Sequence, residues 1–158
     1  YGKDKRLKQF DFEKFANFLA GEGAVVGIFY YNAKLDREHN PKKFKSQKEF
    51  FDKIKKIPNF NLVLCNLLKR HIKGTDKVYY VLKEDDINMM VELACDDKLD
   101  IAVLVSGDGD FVPAVRSVQK KKKQVENIFF SGSSSRKLKN FCDKSLELTR
   151  EILDKFFD

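Results

Sequence analysis

The spacing of apolar residues along this chain alternates between the three-to-four-residue period of a helix and short continuous runs. Periodic segments predict amphipathic helices, and runs such as Ile101–Val105 (IAVLV) predict strands that are buried on both faces. The predicted helices lie at 11–20, 46–58, 87–97, 110–123 and 136–142, with a final amphipathic stretch at 146–157. The predicted strands lie at 24–31, 61–65, 101–105 and 125–130, and a hairpin spans 67–83.

Capping residues support two of these helices. Asp11 precedes the first apolar stripe as an N-cap, and Gly21 follows the stripe as a typical helix stop. Ser46 and Glu49 have the spacing of a capping box, so residues 32–45 before them are predicted to form a polar connection. Helices therefore separate most of the predicted strands, apart from the hairpin.

Strands that alternate with helices of crossover length indicate an α/β fold, in which a mainly parallel central sheet is covered by helices on both faces. The length of 158 residues fits one domain over 1–158 and leaves no room for two of ordinary size. In sheets of this kind the ligand-binding crevice lies beyond the carboxyl ends of the strands. Functional residues are therefore expected in the segments that follow the strands.

The charge balance narrows the class of partner. The chain has 31 Lys and Arg against 24 Asp and Glu, which gives a formal net charge of +7. A basic domain attracts polyanions, of which nucleic acid is the commonest, although solvated helix faces explain an excess of lysine equally well. With 42% hydrophobic residues the chain can form a core. No apolar run approaches the roughly 20 residues of a membrane-spanning helix, so no membrane partner is expected.

Cysteine and histidine usage favours a cytoplasmic protein without structural zinc. Cys65, Cys95 and Cys142 are an odd number, lie far apart and form no C-x-x-C motif, which is typical of reduced thiols. Neither His39 nor His71 lies at metal-ligand spacing from a cysteine. The polar, basic start of the sequence does not have the pattern of a signal peptide.

Acidic residues follow the predicted strand 101–105 in the turn Ser106–Phe111 (SGDGDF). The glycines allow a tight turn, so that Asp108 and Asp110 both face the expected crevice. Asp110 is also placed to cap the following helix, which explains one aspartate but not two. This turn is the strongest candidate site in the sequence.

A second acidic group stands at the start of the predicted helix 87–97. Acidic residues favour helix N-termini because of the helix dipole, which accounts for one of them, and Asp86 is the member expected to face inward. Glu92 lies further along the same helix and lines the same wall unless it belongs to a solvated face. Clustered carboxylates repel by about 4 kcal/mol at ~4 Å, a cost that a hard divalent cation offsets. In a basic protein, Mg²⁺ or Mn²⁺ held by Asp86, Asp108 and Asp110 indicates phosphate chemistry.

These segments resemble the NYN domain family of the PIN-like nuclease superfamily. The stretch Val103–Val115 (VLVSGDGDFVPAV) is similar to its signature, and Lys83–Asp86 is similar to its Lys-x-x-Asp segment. Gly27–Asn32 (GIFYYN) resembles its second strand. The end of the chain is similar to its last strand, serine loop and closing helix, at 125–130, 131–135 and 138–148.

The resemblance implies a three-layer α/β/α PIN-like sandwich with an acidic, metal-dependent site usually assigned to RNA cleavage. Matched motif to motif, Asp86, Asp108 and Asp110 are the implied metal-site carboxylates, and Ser106 supports the turn. Glu92 falls where many members carry a further Asp, and is the weaker match. Family members also begin with an apolar strand that ends in a further site carboxylate. Since this sequence starts at about the end of that motif, we expect the first strand to lie upstream of residue 1.

Cations and polar groups around the crevice are the expected nucleic-acid contacts. Arg136 and Lys137 follow the serine loop, Lys83 borders Asp86, and Asn32 follows an aromatic strand end. Ser106 joins them as a polar group of the turn. No base-reading module is recognisable, so binding is expected to be directed to the backbone and sensitive to salt.

The leading hypothesis is a Mg²⁺- or Mn²⁺-dependent endonuclease that hydrolyses phosphodiester bonds, with single-stranded or structured RNA as the expected substrate. The alternative is a non-catalytic nucleic-acid or protein interaction module on the same fold, which the absence of a first-strand carboxylate favours. A phosphatase-like hydrolase is a third, since acidic Gly-Asp loops also occur in phosphate-handling α/β folds. A homodimer remains open.

Overall fold

A computed structural model of the chain describes residues 9–33, 41–65, 67–71, 74, 78–82, 91, 94, 97–133 and 135–157. These residues belong to two compact units, one drawn from 1–86 with 156–158 and the other from 87–155. The elements of the first unit are α1 (Phe12–Ala20), β1 (Ile28–Ala33), α2 (Pro41–Ile54), β2 (Phe60–Cys65), β3 (Leu67–His71) and β4 (Val78–Leu82). Those of the second are β5 (Ile101–Val105), a 3₁₀ turn (Gly109–Phe111), α3 (Val112–Lys120), β6 (Gln124–Phe130), α4 (Arg136–Phe141), β7 (Lys144–Leu148) and α5 (Arg150–Asp154).

In the first unit, β1 and β2 pair in parallel from Ile28 opposite Phe60 to the strand ends. Helix α2 supplies the core against this pair, because Phe50, Phe51 and Ile54 recur at helical spacing and are all buried. The strands β3 and β4 form a separate antiparallel hairpin. The predicted hairpin and the predicted strand at 61–65 are therefore confirmed.

Helix α1 has the boundaries that its capping residues predict. The Asp11 side chain accepts a hydrogen bond from the Lys14 N–H at 2.9 Å, and Gly21 ends the helix with a φ of +59°. Its apolar stripe buries Phe15, whose ring meets that of Phe156 edge to face with centroids 5.2 Å apart.

The second unit is built on a three-stranded parallel sheet in the order β5-β6-β7. Helix α3 begins with Pro in its first turn and buries Val112, Val115 and Val118 at i, i+3 and i+6. These side chains cluster with Val125 of β6 and Leu138 of α4. The predicted α/β class with mainly parallel pairing is thus confirmed.

The expectation that the strands are buried on both faces is wrong for β5 and β1. Along β5, Ile101, Val103 and Val105 are 43%, 37% and 41% exposed, while the alternate residues pack against the α3 cluster. In β1, which begins at Ile28 rather than at residue 24, Phe29 is 40% exposed. Within the described ranges β5 pairs only with β6, so the described residues leave one face and one edge of this strand uncovered.

Two further boundaries differ from the prediction. Helix α2 begins at Pro41, and Ser46 lies inside it rather than capping it, because proline is pre-organised for the first helical position. The amphipathic stretch 146–157 is a strand, β7, followed by the short helix α5, whose N-cap is Thr149. In β7 the pairing with β6 decides the conformation.

The predicted helix 87–97 lies mostly outside the described residues. Val91 and Ala94 are helical and pack against the α3 cluster, which agrees with a helix in this range.

Candidate active site

The acidic turn, residues 106–110, leaves the carboxyl end of β5 and leads into the 3₁₀ turn and α3. Ser106 N–H still donates to the Ile128 carbonyl of β6 at 2.9 Å, as in the sheet. Beyond it the turn is held by its own side chains: Ser106 Oγ accepts from Asp108 N–H at 3.1 Å, and Asp108 Oδ1 accepts from Asp110 N–H at 3.0 Å. Asp108 is therefore the capping residue, and the capping role that the sequence analysis gave to Asp110 is wrong.

Both aspartates of the turn reach solvent. Asp108 and Asp110 are exposed, whereas Ser106 beneath them is half-buried. Capping engages Oδ1 of Asp108, so this residue combines a structural bond with a solvent-facing carboxylate. The two acidic side chains stand at the start of the 3₁₀ turn and α3, at the positive end of the peptide dipoles, an arrangement that stabilises a helix start.

The glycines of the turn are required by close approach rather than by a left-handed backbone. A Cβ built on Gly107 would overlap the backbone carbonyl oxygen of Ser133, and one on Gly109 would lie 2.6 Å from Ser135 Oγ. Ser135 N–H donates to the Gly107 carbonyl at 2.8 Å. The acidic turn is therefore packed directly against the serine loop, residues 131–133 and 135 as described.

The serine loop places two cations next to this contact. Ser135 Oγ accepts from Leu138 N–H at 3.4 Å and caps α4, and the fully buried Leu138 anchors the helix in the core. Arg136 and Lys137 are the first residues of α4 and are exposed. Both follow directly after Ser135, whose N–H is bonded to Gly107, so the two predicted cations lie close to the acidic turn.

Asn32 lies in the other unit, in β1. Its Nδ2 donates to the hydroxyl of Tyr30 at 3.2 Å, and Asn32 is half-buried. The Tyr30 ring packs against those of Phe12, Phe50 and Phe60, so this tyrosine belongs to the aromatic core of the first unit. A nucleic-acid contact by Asn32 stays a prediction.

Three of the predicted site residues, Asp86, Glu92 and Lys83, lie outside the described residues. In the part of the chain that the structure describes, no three His, Cys, Asp or Glu side chains form a group that could hold a metal ion. Asp108 and Asp110 offer hard carboxylate oxygens, which is the ligand chemistry of Mg²⁺ and Mn²⁺, and Mg²⁺ commonly uses only one or two protein carboxylates. The described donors thus fit a divalent ion in type.

One buried residue beside the turn was missed by the sequence reasoning. Asn127 of β6 is 0% exposed, and its Nδ2 donates to the carbonyls of Leu104 at 3.1 Å and Ser106 at 2.8 Å. The signal that could have found it is a single amide inside the apolar part of the strand 125–130, where a buried polar side chain needs partners.

The opposite end of β6 holds the one carboxylate whose pKa shift is resolved among the described residues. Val125 N–H donates to Asp143 Oδ2 at 2.8 Å and Gln119 Nε2 donates to the same oxygen at 3.0 Å, and these bonds lower the pKa of Asp143. Burial, with the neighbouring Asp143 charge, raises the pKa of the Cys142 thiol. This cluster ties α3, β6 and β7 together away from the acidic turn.

The parallel strand pairings and the helices beside them define an α/β fold, and the acidic turn lies at the carboxyl end of a strand, where such folds carry their functional residues. The chain belongs to the NYN domain family, whose model matches residues 1–149. NYN domains are part of the PIN-like nuclease superfamily, whose nucleases generally depend on a divalent metal and bind nucleic acid. The predicted family is therefore confirmed.

Two relatives extend this comparison. The chain is 23% identical over 160 residues to the low amplitude and bright protein LabA of Synechococcus elongatus, with 98% of this chain and 82% of LabA covered. It is similar to a crystal structure of a protein of unknown function from Vibrio parahaemolyticus, with a TM-score of 0.66, 24% identity, and 91% of this chain and 82% of that chain covered. The second likeness agrees with a PIN-like fold. None of the described helices is long and apolar enough to cross a membrane.

Proposed function

We propose that this NYN domain is a divalent-metal-dependent endoribonuclease with the acidic turn as its catalytic centre. The observation that carries the proposal is that the turn holds two exposed carboxylates on a fixed backbone. Asp108 and Asp110 are exposed at the carboxyl end of β5, and hydrogen bonds together with glycine contacts to the serine loop hold the backbone between them. A turn needed only to start a helix requires one capping carboxylate.

The carboxylates of Asp108 and Asp110 are proposed to hold Mg²⁺ or Mn²⁺, together with Asp86 and Glu92 from the segment before β5. When bound, such an ion supplies Lewis acidity to the phosphodiester and to the attacking water. The residues of the turn contribute position: Ser106 Oγ and Asp108 Oδ1 hold the amides of Asp108 and Asp110, so the carboxylates need little reorganisation on binding.

RNA is the proposed polyanion. Arg136 and Lys137 are exposed beside the turn and suit backbone phosphates, and Lys83, Asn32 and Ser106 are proposed as further contacts. The net charge of +7 supports this. Each phosphate contact makes the binding of RNA more sensitive to salt. The double variant R136Q/K137Q is therefore expected to bind RNA more weakly and to reduce the slope of log K against log salt by about 1–2. We place this activity in the cytoplasm.

The decisive experiment is removal of charge without removal of the cap. Asp108→Asn keeps a side-chain oxygen that accepts from Asp110 N–H, so the fold is expected to be retained while cleavage of a fluorescent single-stranded RNA in Mn²⁺ is lost. Asp100→Asn is the matched control, since Asp100 is exposed directly before β5, at the opposite end of the same strand. Equal cleavage by wild type and Asp108→Asn would contradict the assignment of the site.

The second candidate is a non-catalytic RNA-binding module on the same fold. One observation favours it: Asp108 Oδ1 already accepts the hydrogen bond from Asp110 N–H, which leaves fewer carboxylate oxygens of the turn for a metal ion. RNA that binds in a mobility-shift assay but stays intact at saturating Mn²⁺ would select this candidate. Cleavage that depends on Mn²⁺ and is lost on chelation excludes it.

A further inference from the structure

Asn127 occupies a position where a polar side chain is costly. It lies in β6 opposite Leu104 of β5 and is completely buried. A buried amide without partners is destabilising, so an apolar residue would serve a purely structural role better. Among the described residues no donor reaches its Oδ1. One of the two polar atoms of this buried amide is therefore without a hydrogen-bond partner among them.

The amide group does what no apolar side chain can do at this point. Its NH₂ carries two hydrogens, and it donates to two main-chain carbonyls, Leu104 in β5 and Ser106 at the start of the acidic turn. Ser106 N–H is bonded to Ile128, so backbone and side chain of β6 hold this residue together.

The bonds then continue into the turn. Asn127 Nδ2 holds the carbonyl of Ser106, Ser106 Oγ holds the amide of Asp108, and Asp108 Oδ1 holds the amide of Asp110. Each link fixes the backbone on which the next donor or acceptor stands. A buried side chain of β6 is thereby connected to both exposed carboxylates.

We propose that Asn127 is a positioning residue that sets the direction in which the acidic turn leaves the sheet. The importance of Asn127 for catalysis rests on the proposed function of Asp108 and Asp110. Its structural effect on the turn does not depend on that function. Loss of the Nδ2 donor should release the turn locally before it affects the rest of the unit.

The wild-type protein provides the first test. Asn127 side-chain NH₂ protons should exchange with solvent at least ten times more slowly than those of Asn140, an exposed asparagine of α4, in an NMR exchange measurement. Equal exchange rates for the two side chains would overturn the proposal without any variant.

Substitution provides the second test. In Asn127→Leu, and in the milder Asn127→Ser, the amides of Asp108 and Asp110 should exchange roughly tenfold faster or more, the fold-change expected from losing two hydrogen bonds. Asp143→Asn is the control, because it weakens the opposite end of β6 without touching the turn. Exchange at the turn that rises equally in Asn127→Ser and Asp143→Asn would show a general loss of stability and would overturn the proposal.

Cleavage assays separate this inference from the proposed function. Asn127→Ser is expected to lower kcat for RNA with KM nearly unchanged, because Arg136 and Lys137 remain in place. If Asp108→Asn cleaves like wild type while Asn127→Ser still accelerates exchange in the turn, the proposed function fails and the positioning role stands. If only Asp108→Asn changes cleavage and Asn127→Ser leaves turn exchange unaltered, the positioning role fails.

Discussion

Gly107→Ala tests the contact between the acidic turn and the serine loop most directly. The φ of Gly107 is not in the left-handed region, so alanine fits the local backbone. The obstacle is the Ser133 carbonyl oxygen, which the new Cβ would overlap. Because this oxygen belongs to the main chain, no rotamer change can relieve the clash, and the turn or the loop has to move.

The size of the effect follows from three contributions. Separation of the two segments loses the bond from Ser135 N–H to the Gly107 carbonyl, about 1 kcal/mol net. Overpacking against the Ser133 backbone adds about 1–3 kcal/mol, and the lower entropy of an unfolded chain with alanine returns about 0.4–1 kcal/mol. We expect the free energy of unfolding to fall by about 2 kcal/mol, which lowers Tm by about 4–8 °C in a protein of this size.

Urea unfolding followed by circular dichroism measures this loss, with an unchanged m-value showing that the native and unfolded states remain comparable. Gly109→Ala is the graded control, since its obstacle is the Ser135 hydroxyl, which can rotate at the cost of the α4 cap, about 1 kcal/mol. Adding Ser135→Ala should therefore relieve Gly109→Ala in a double-mutant cycle, whereas Ser133→Ala should give no relief to Gly107→Ala.

A Gly107→Ala protein within about 0.5 kcal/mol of wild type would refute the close packing of turn and loop. Rescue of this variant by Ser133→Ala would refute it as well, because the obstacle is then the side chain and not the carbonyl oxygen.

Three further outcomes are expected. Leu138→Ala should lower the free energy of unfolding by about 3 kcal/mol in urea, since this side chain is 0% exposed; a loss below about 1 kcal/mol would contradict its place in the core. The bond from Val125 N–H lowers the pKa of Asp143 from its usual 3.8, so its stabilisation is present above that value and is lost as the pH falls through the folded-state pKa. The stability gap between wild type and Asp143→Asn, followed by urea titrations across the pH range, should close below about pH 4, and a pH-independent gap would argue against the shift. Lys144→Met breaks a surface ion pair with Glu126 at 3.0 Å and should cost less than about 1 kcal/mol, less still in 1 M salt.

The elements that the sequence predicted well carry their signals locally. Helix α1 begins after Asp11 and ends before Gly21 because both residues act on the backbone next to them. Strand β5 coincides with the apolar run Ile101–Val105, and α3 follows from the spacing of its buried valines. The acidic turn was likewise visible, since its residues are consecutive.

The elements that were misplaced depend on partners distant in the chain. The predicted amphipathic stretch 146–157 begins as a strand, because residues 144–148 pair with the parallel edge that β6 offers. Helix α2 begins at Pro41, five residues before the predicted capping box at Ser46. The apolar sequence of β5 does not show whether other elements cover one face of the strand or both.

By itself, the order of residues determined the family, the α/β class and the acidic turn that follows β5, because these depend on neighbouring residues and on apolar spacing. Only the tertiary structure decided why Gly107 must be glycine and why Asn127 is buried. The first depends on a carbonyl of the serine loop and the second on two carbonyls of another strand. Such contacts join segments remote in the chain, and packing alone brings them within reach.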